Sequence, residues 1–141
     1  MKKNKITIIA EAGVNHNGNL KSAKKLIDYA SDAGADYVKF QTFEANELVT
    51  RLSPKASYQK IKTKKKESQY DMLKKLELSE KDHLVLKKYC NKKKIKFLSS
   101  PFSIKSFDFL NKIGLKIVKI PSGEIDNFPF LKHIGKYKKK I

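Results

Sequence analysis

Four short apolar runs rich in β-formers recur along the chain, at residues 6–11 (ITIIAE), 37–41 (YVKFQ), 95–100 (IKFLSS) and 116–121 (KIVKIP), and helical patterns separate them. Each run is too short for a typical helix, and strands that alternate with helices make βα units on a parallel sheet. After the first run Leu20, Ala23, Ile27 and Ala30 share one helical face, with Gly34 placed to stop the helix. A polar stretch from about Thr42 to Lys66 follows the second run, and then a short helix is expected over residues 67–76. Ser79 opens the next helix, with Asp82 as its capping-box partner, and this helix buries Leu86, Tyr89 and Cys90. Ser103 opens another that carries Ile104, Phe107 and Leu110 and stops at Gly114; Asn127 caps a last one through Leu131 and Ile134.

A doubly wound sheet and a (β/α)8 barrel both fit this rhythm, and the strand ends favour the barrel. A barrel gathers its chemistry at the C-terminal ends of its strands. Here the runs finish in polar residues: Glu11, Gln41, Ser99-Ser100 and Ser122-Gly123-Glu124. No GxGxxG follows the first run, so the dinucleotide-fold signal is missing. Four βα units are half a barrel, and Lys140-Ile141 stand where a fifth strand would begin. The expected fold is therefore α/β, the N-terminal half of a (β/α)8 TIM-type barrel of four βα units, truncated at the start of strand 5. Residues 1–141 would be part of a longer protein, since half a barrel leaves open strand edges.

Composition narrows the function classes. At 141 residues and 40% hydrophobic, the chain supports one globular domain at most. No apolar run approaches the ~20 residues of a membrane helix, and no signal-peptide pattern follows Met1. One cysteine, Cys90, excludes an internal disulfide and suits a reducing cytoplasm; in its helical pattern it reads as a packed small hydrophobe. The net charge of +18 raises the question of nucleic acid, but of 32 basic residues only Arg51 is arginine. Base readout and bidentate phosphate clamps favour arginine, and no recognition motif accompanies the lysines. They read as a solvated surface, so a basic nucleic-acid-binding protein is the weaker alternative.

Strand parity sorts the polar residues. Lys39 and Gln41 oppose Val38 and Phe40, Lys119 opposes Val118 and Ile120, and Glu11 opposes Ala10 and Ile8. The helix-facing side of a barrel strand must be apolar, so Glu11, Lys39, Gln41 and Lys119 turn into the barrel mouth. Two readings follow. Lys39 and Lys119 could pair with Glu11 and Glu124 as a structural network, or the two inward ammoniums could await an anionic ligand, a phosphate or carboxylate. Ser99, Ser100, Ser122 and the Ser122-Gly-Glu turn would add donors. In Asn15-His16-Asn17-Gly18, Asn17 or Asn19 caps the first helix, and His16 suits a hydrogen-bonding role in the loop better than that of a lone metal ligand.

Four segments in order, "AEAGVNHNG", "GADYVKFQTF", "FLSSPFS" and "VKIPSGEIDNFP", resemble the motifs of the N-acetylneuraminate (sialic acid) synthases and the similar legionaminic acid synthases. The resemblance covers nearly all of residues 6–141. It implies a barrel that condenses phosphoenolpyruvate with an N-acetylated mannosamine-type hexosamine, forming a C–C bond and releasing phosphate. It points to Lys39, Lys119 and Ser122 at phosphoenolpyruvate, to Ser100 and Phe102 lining the same pocket, and to Glu11 and Gln41 at the sugar. Glu11, Lys39 and Lys119 thus stand as catalytic residues, and Gln41, Ser100, Phe102, Ser122 and Glu124 as substrate-binding ones. Serine stands at position 100 where relatives often carry threonine, and either offers a hydroxyl. The resemblance also implies a divalent metal (Mn or Mg) whose histidine ligands lie beyond Ile141, with none in this chain. A C-terminal antifreeze-like domain, which closes a partner's site in a homodimer, would lie there too. The expected setting is cytoplasmic, with no nucleic acid and no membrane. A pseudaminic acid synthase is the alternative of the same chemistry, and the 141-residue chain alone is expected to be inactive and either poorly stable or self-associating.

Overall fold

Val38 and Phe40 have no exposed surface, and they decide which side of the sheet the helices cover. The computed structural model describes residues 6–54 and 68–141. Within them β1 (Ile9–Gly13), β2 (Tyr37–Thr42) and β3 (Lys96–Pro101) form a parallel sheet in the order β1-β2-β3. Against its Val38–Phe40 side lie α1 (Leu20–Asp32), through Ala23, Ile27 and Ala30, and the helix Glu80–Lys92, through Leu86 and Cys90. Phe40 stacks on Phe97 with ring centroids 5.8 Å apart. Burial of side chains this large contributes about 1.5–3 kcal/mol each, which makes this layer the main source of stability.

The helix ends follow the sequence. Asn19 Oδ1 accepts the Ser22 N–H (2.9 Å), Ser103 caps Ser106, and Asn127 caps Phe130. Ser79 and Asp82 complete the capping box. In chain order the remaining helices among the described residues are α2 (Ala45–Leu48), α3 (Gln69–Lys74, capped by Ser68), α4 (Glu80–Lys92), α5 (Ile104–Lys112) and α6 (Phe128–Gly135). Gly34 and Gly114 stop α1 and α5 with φ of +77° and +86°. The helix expected over 67–76 is thus shorter, and its Glu67, with the polar stretch from 55 on, lies outside the described residues. Tyr89 is half-buried; its hydroxyl donates to Asp28 (2.9 Å), joining α4 to α1. Burial pushes the Cys90 thiol up to about 12, as suits an inert core residue.

Three expectations need correction. β1 spans Ile9–Gly13 rather than residues 6–11, because Ile8 is engaged by the loop before β2: its carbonyl accepts from Asp36 and Tyr37, and its N–H donates to the Asp36 carboxylate. β1 also continues past Glu11 through a bulge between Glu11 and Gly13, where Gly13 takes φ +51°. Ile104, grouped with Phe107 and Leu110 on the helix opened at Ser103, is exposed at the first position of α5 and does not share their burial.

The fourth run is not a strand. Its one ladder contact among the described residues is an isolated parallel bridge from Ile117 to Lys140, with Val118 N–H donating to the Lys140 carbonyl at 2.8 Å. Val118 is held instead by packing, in a second core with Phe107 of α5 and Phe130 and Ile134 of α6. A ladder needs a paired neighbour along its length, and burial alone does not supply one.

Candidate functional site: a buried lysine at the strand ends

Lys39 lies between the two best-buried residues of β2 and points the opposite way. It is 8% exposed, and its ammonium forms an ion pair with Glu11 Oε2 at 2.5 Å. Register explains the meeting, since Glu11 stands beside Lys39 and Ser100 beside Gln41. Ser100 is buried, and its hydroxyl lies 3.5 Å from Lys39 Nζ. Gly13 makes the room: a Cβ there would come within 3.2 Å of Glu11 Oε1 and 3.9 Å of Gln41 Nε2. Glu11, Lys39, Gln41 and Ser100 therefore gather at one end of the sheet.

The electrostatics of the group are lopsided. The ammonium is enclosed, while the Glu11 side chain is 55% exposed and can be carried by water. An ammonium has three donors, and here Glu11 takes one at short range while Ser100 lies at the limit of a hydrogen bond. The site can thus accept an anion at Lys39 without leaving a buried carboxylate stranded.

The other predicted residues lie apart. Phe102 follows β3, its N–H donating to the Thr42 carbonyl at 3.2 Å and its ring edge-on to Phe43 at 6.1 Å. Lys119 is exposed and borders a groove of about 480 Å³ with Ile9, Tyr37 and Leu98, the sheet face that Lys39 also takes. Val118 and Ile120 line the same groove, so strand alternation does not sort this run. The Lys119–Glu124 pair is not formed: Glu124 Oε2 accepts from Asn127 Nδ2 at 2.6 Å, and Lys119 has no ion pair among the described residues. Ser122 is exposed at the start of a 3-10 turn (Ser122–Glu124). No hydrogen bond or ion pair among the described residues joins Lys119, Ser122 or Glu124 to the Glu11–Lys39 group.

Ser99 faces away from this site. It shares the parity of Phe97, and its hydroxyl lies 2.7 Å from Thr42 Oγ1 on the helix-covered side, so it is not among the donors of the mouth. Behind it His83, unremarked in the sequence, is completely buried. A signal existed: His83, Leu86 and Cys90 fall at i, i+3 and i+7, the buried face of α4.

His16 is 1% exposed, accepts the Gly18 N–H through Nδ1 at 3.0 Å and lies 6.0 Å from the Phe40 ring. It holds the β1–α1 loop, as expected of it. Burial keeps its pKa, and that of His83, below the ordinary histidine value. Among the described residues no three His, Cys, Asp or Glu side chains are grouped to hold a metal. No helix among them is long and apolar enough to cross a membrane.

Comparison with known proteins adds independent findings. Residues 26–141 match the model of the NeuB family. The chain is 56% identical over 137 residues to N,N'-diacetyllegionaminic acid synthase of Campylobacter jejuni, and the match takes in 97% of this chain and 41% of that protein. It is 53% identical over 131 residues to the enzyme of the same name from Legionella pneumophila, with 93% and 37% covered. The crystal structure of N-acetylneuraminic acid (sialic acid) synthetase from Leptospira borgpetersenii, in complex with citrate, superposes with a TM-score of 0.78 at 33% identity, over 94% of this chain and 42% of that one. The chain thus spans about two-fifths of the length of these relatives.

Proposed function

The chain belongs to the NeuB family, and from that premise we propose that it supplies the phosphoenolpyruvate-binding part of an enzyme that condenses phosphoenolpyruvate with an N-acetylmannosamine-type sugar. The products are a nonulosonic (sialic-type) acid and phosphate. One observation carries the reading: an almost fully enclosed Lys39 ammonium whose carboxylate partner, Glu11, is more than half exposed. The proposed fold is the N-terminal half of a (β/α)8 barrel, and the parallel Ile117–Lys140 bridge is what a first contact between strands 4 and 5 would be. Residues 1–141 would then be one part of a larger domain. In the complete protein we expect a cytoplasmic homodimer.

In this reaction C3 of phosphoenolpyruvate bonds to the aldehyde carbon of the open-chain sugar. Water adds at C2, the bond from C2 to the phosphate oxygen breaks, and phosphate leaves. The chain's own part is positioning and electrostatics. Lys39 and Lys119 would neutralise the phosphate and carboxylate, with Ser100 and Ser122 as hydroxyl donors and Phe102 and Glu124 lining the pocket. Glu11 and Gln41, brought together across Gly13, would orient the sugar. The described residues do not fit a metal: no ligand cluster is present, and both His83 nitrogens are engaged. A divalent Mn or Mg would be held by other residues of the complete protein.

The test is to supply the complete protein that carries this chain with phosphoenolpyruvate and N-acetylmannosamine, or its diacetamido counterpart, and to follow phosphate release and the nine-carbon acid. The relatives' names make the diacetamido sugar the first to try. Phosphate release that depends on the sugar, with the acid identified by mass, is the expected result. No turnover of phosphoenolpyruvate with any N-acetylated hexosamine overturns the reading.

A further inference from the structure

On the helix-covered side of the sheet, directly behind the site, three polar side chains are enclosed: Thr42 at 8% exposure, Ser99 and His83 at none. Their hydrogen bonds have a direction. His83 Nδ1 lies 2.9 Å from the Ser79 backbone carbonyl, which can only accept, so Nδ1 carries the proton. In the neutral ring Nε2 then has only a lone pair, and Thr42 Oγ1, at 2.8 Å, donates to it. With that proton committed, the Thr42 oxygen accepts from the Ser99 hydroxyl at 2.7 Å. The protons run one way, from Ser99 to Thr42 to His83 and on to Ser79, the N-cap of α4.

Each strand member of this chain adjoins a site residue. Thr42 follows Gln41, Ser99 precedes Ser100, and register sets Gln41 beside Ser100. Alternation sends Thr42 and Ser99 to the helices and Gln41 and Ser100 to the other face. The Thr42 carbonyl also receives the Phe102 N–H, so the same residue holds the turn after β3. We infer that Thr42, Ser99 and His83 are positioning residues, a one-directional hydrogen-bond chain that locks the ends of β2 and β3 to α4 and thereby sets where Gln41 and Ser100 meet substrate. The inference rests on the proposed function, in which those two residues face substrate. A satisfied buried network of this kind specifies one arrangement more than it adds net stability.

The test uses the complete protein. Thr42→Val keeps the shape and removes the hydroxyl, Thr42→Ser restores it, and Ser99→Ala removes only the first donor. Phosphoenolpyruvate binding by calorimetry, kcat and KM, and the melting temperature are measured together, with the His83 tautomer read by 15N NMR. Thr42→Val is expected to lose about tenfold in kcat/KM while still folded, the size of one hydrogen bond at the upper end. Thr42→Ser should recover most of it, and the wild-type ring should show the Nδ1–H tautomer. If Thr42→Val does not fold, Ser99→Ala decides, with a smaller loss in the same direction. A lower melting temperature with unchanged kinetics, or an Nε2–H tautomer in the wild type, overturns the inference alone. A wild type with the Nδ1–H tautomer that binds no phosphoenolpyruvate overturns the proposed function, and the inference with it.

Discussion

Five consecutive residues of β2 carry two unlike surfaces. Val38, Phe40 and Thr42 face the helices, where the apolar groups are packed to zero or near-zero exposure and the one hydroxyl has partners on both sides. Lys39 and Gln41 face the other way, where a single ion pair at 2.5 Å and one long contact at 3.5 Å are all that Lys39 has among the described residues. Leaving a buried donor unmade costs about 1–3 kcal/mol. Thr42, Ser99 and His83 avoid that cost on the helix side, where His16 Nε2 is the one buried side-chain polar atom among the described residues without a partner, and Lys39 keeps polar capacity open on the other. The closed face holds the strand, and the open face has bonding capacity that a ligand can use.

Truncating the closed face should give the largest effect. Phe40→Ala, which empties a site stacked on Phe97, is expected to cost about 3–5 kcal/mol of stability. Denaturant melts of the folded variant would show it, and a loss under 1 kcal/mol would mean that this face is not the core. On the open face the effect should appear in kinetics. Lys39→Met, and Lys119→Met beside it, should each lower kcat/KM for phosphoenolpyruvate about 10- to 100-fold, since a charge-assisted contact is worth ~1.5–3 kcal/mol. The melting temperature should move little, because Glu11 is already half in water. Lys119 has no ion pair to lose among the described residues, which makes its variant the cleaner probe. A collapsed melting temperature with intact turnover would show that the Lys39–Glu11 pair is structural after all.

The smallest effect concerns pH. Burial holds His83 and His16 below the ordinary histidine value, so the folded protein binds fewer protons than the unfolded chain. Stability from these rings is complete above about pH 6.5 and falls as the pH drops through and below that value, by at most about 1.4 kcal/mol per unit for each ring. At His83 the Ser79 and Gln41 backbone carbonyls and the Asp82 and Glu80 charges oppose this, while at His16 the nearby His83 adds to it. Melts at pH 7.5 and 5.5 should differ, and His83→Gln should reduce the difference. Identical midpoints at both pH values would contradict neutral buried rings.

Local features were the most legible in the sequence. The caps at Asn19, Ser79, Ser103 and Asn127 and the stops at Gly34 and Gly114 each depend on a few neighbouring atoms, and all stand in the structure. The side taken by Lys39 was legible too, because Val38 and Phe40 leave it no alternative. The fourth run was misread because a segment becomes a strand through its partner, and β-propensity says nothing of whether one is present. Ser99 differs for another reason: a polar residue at a strand end suggests the site, but its parity with Phe97 puts it on the helix side. His83 is less legible because a histidine carries no fixed preference for burial, and only its spacing with Leu86 and Cys90 marks the buried face of α4.

The bulge in β1 sets apart two kinds of change that this strand can undergo. Ala12 is the additional residue, buried on the helix side, and Gly13 stands after it with a left-handed backbone and no side chain, next to the Glu11 carboxylate. Substituting a small residue for Ala12 leaves the chain length, and with it the pairing, unchanged. Deleting one residue does not: the ladder would close up, Gly13 would move into the slot of Ala12, and Val14 would bring a branched side chain beside Glu11. Homologous strands should therefore vary in sequence at this point far more readily than in length.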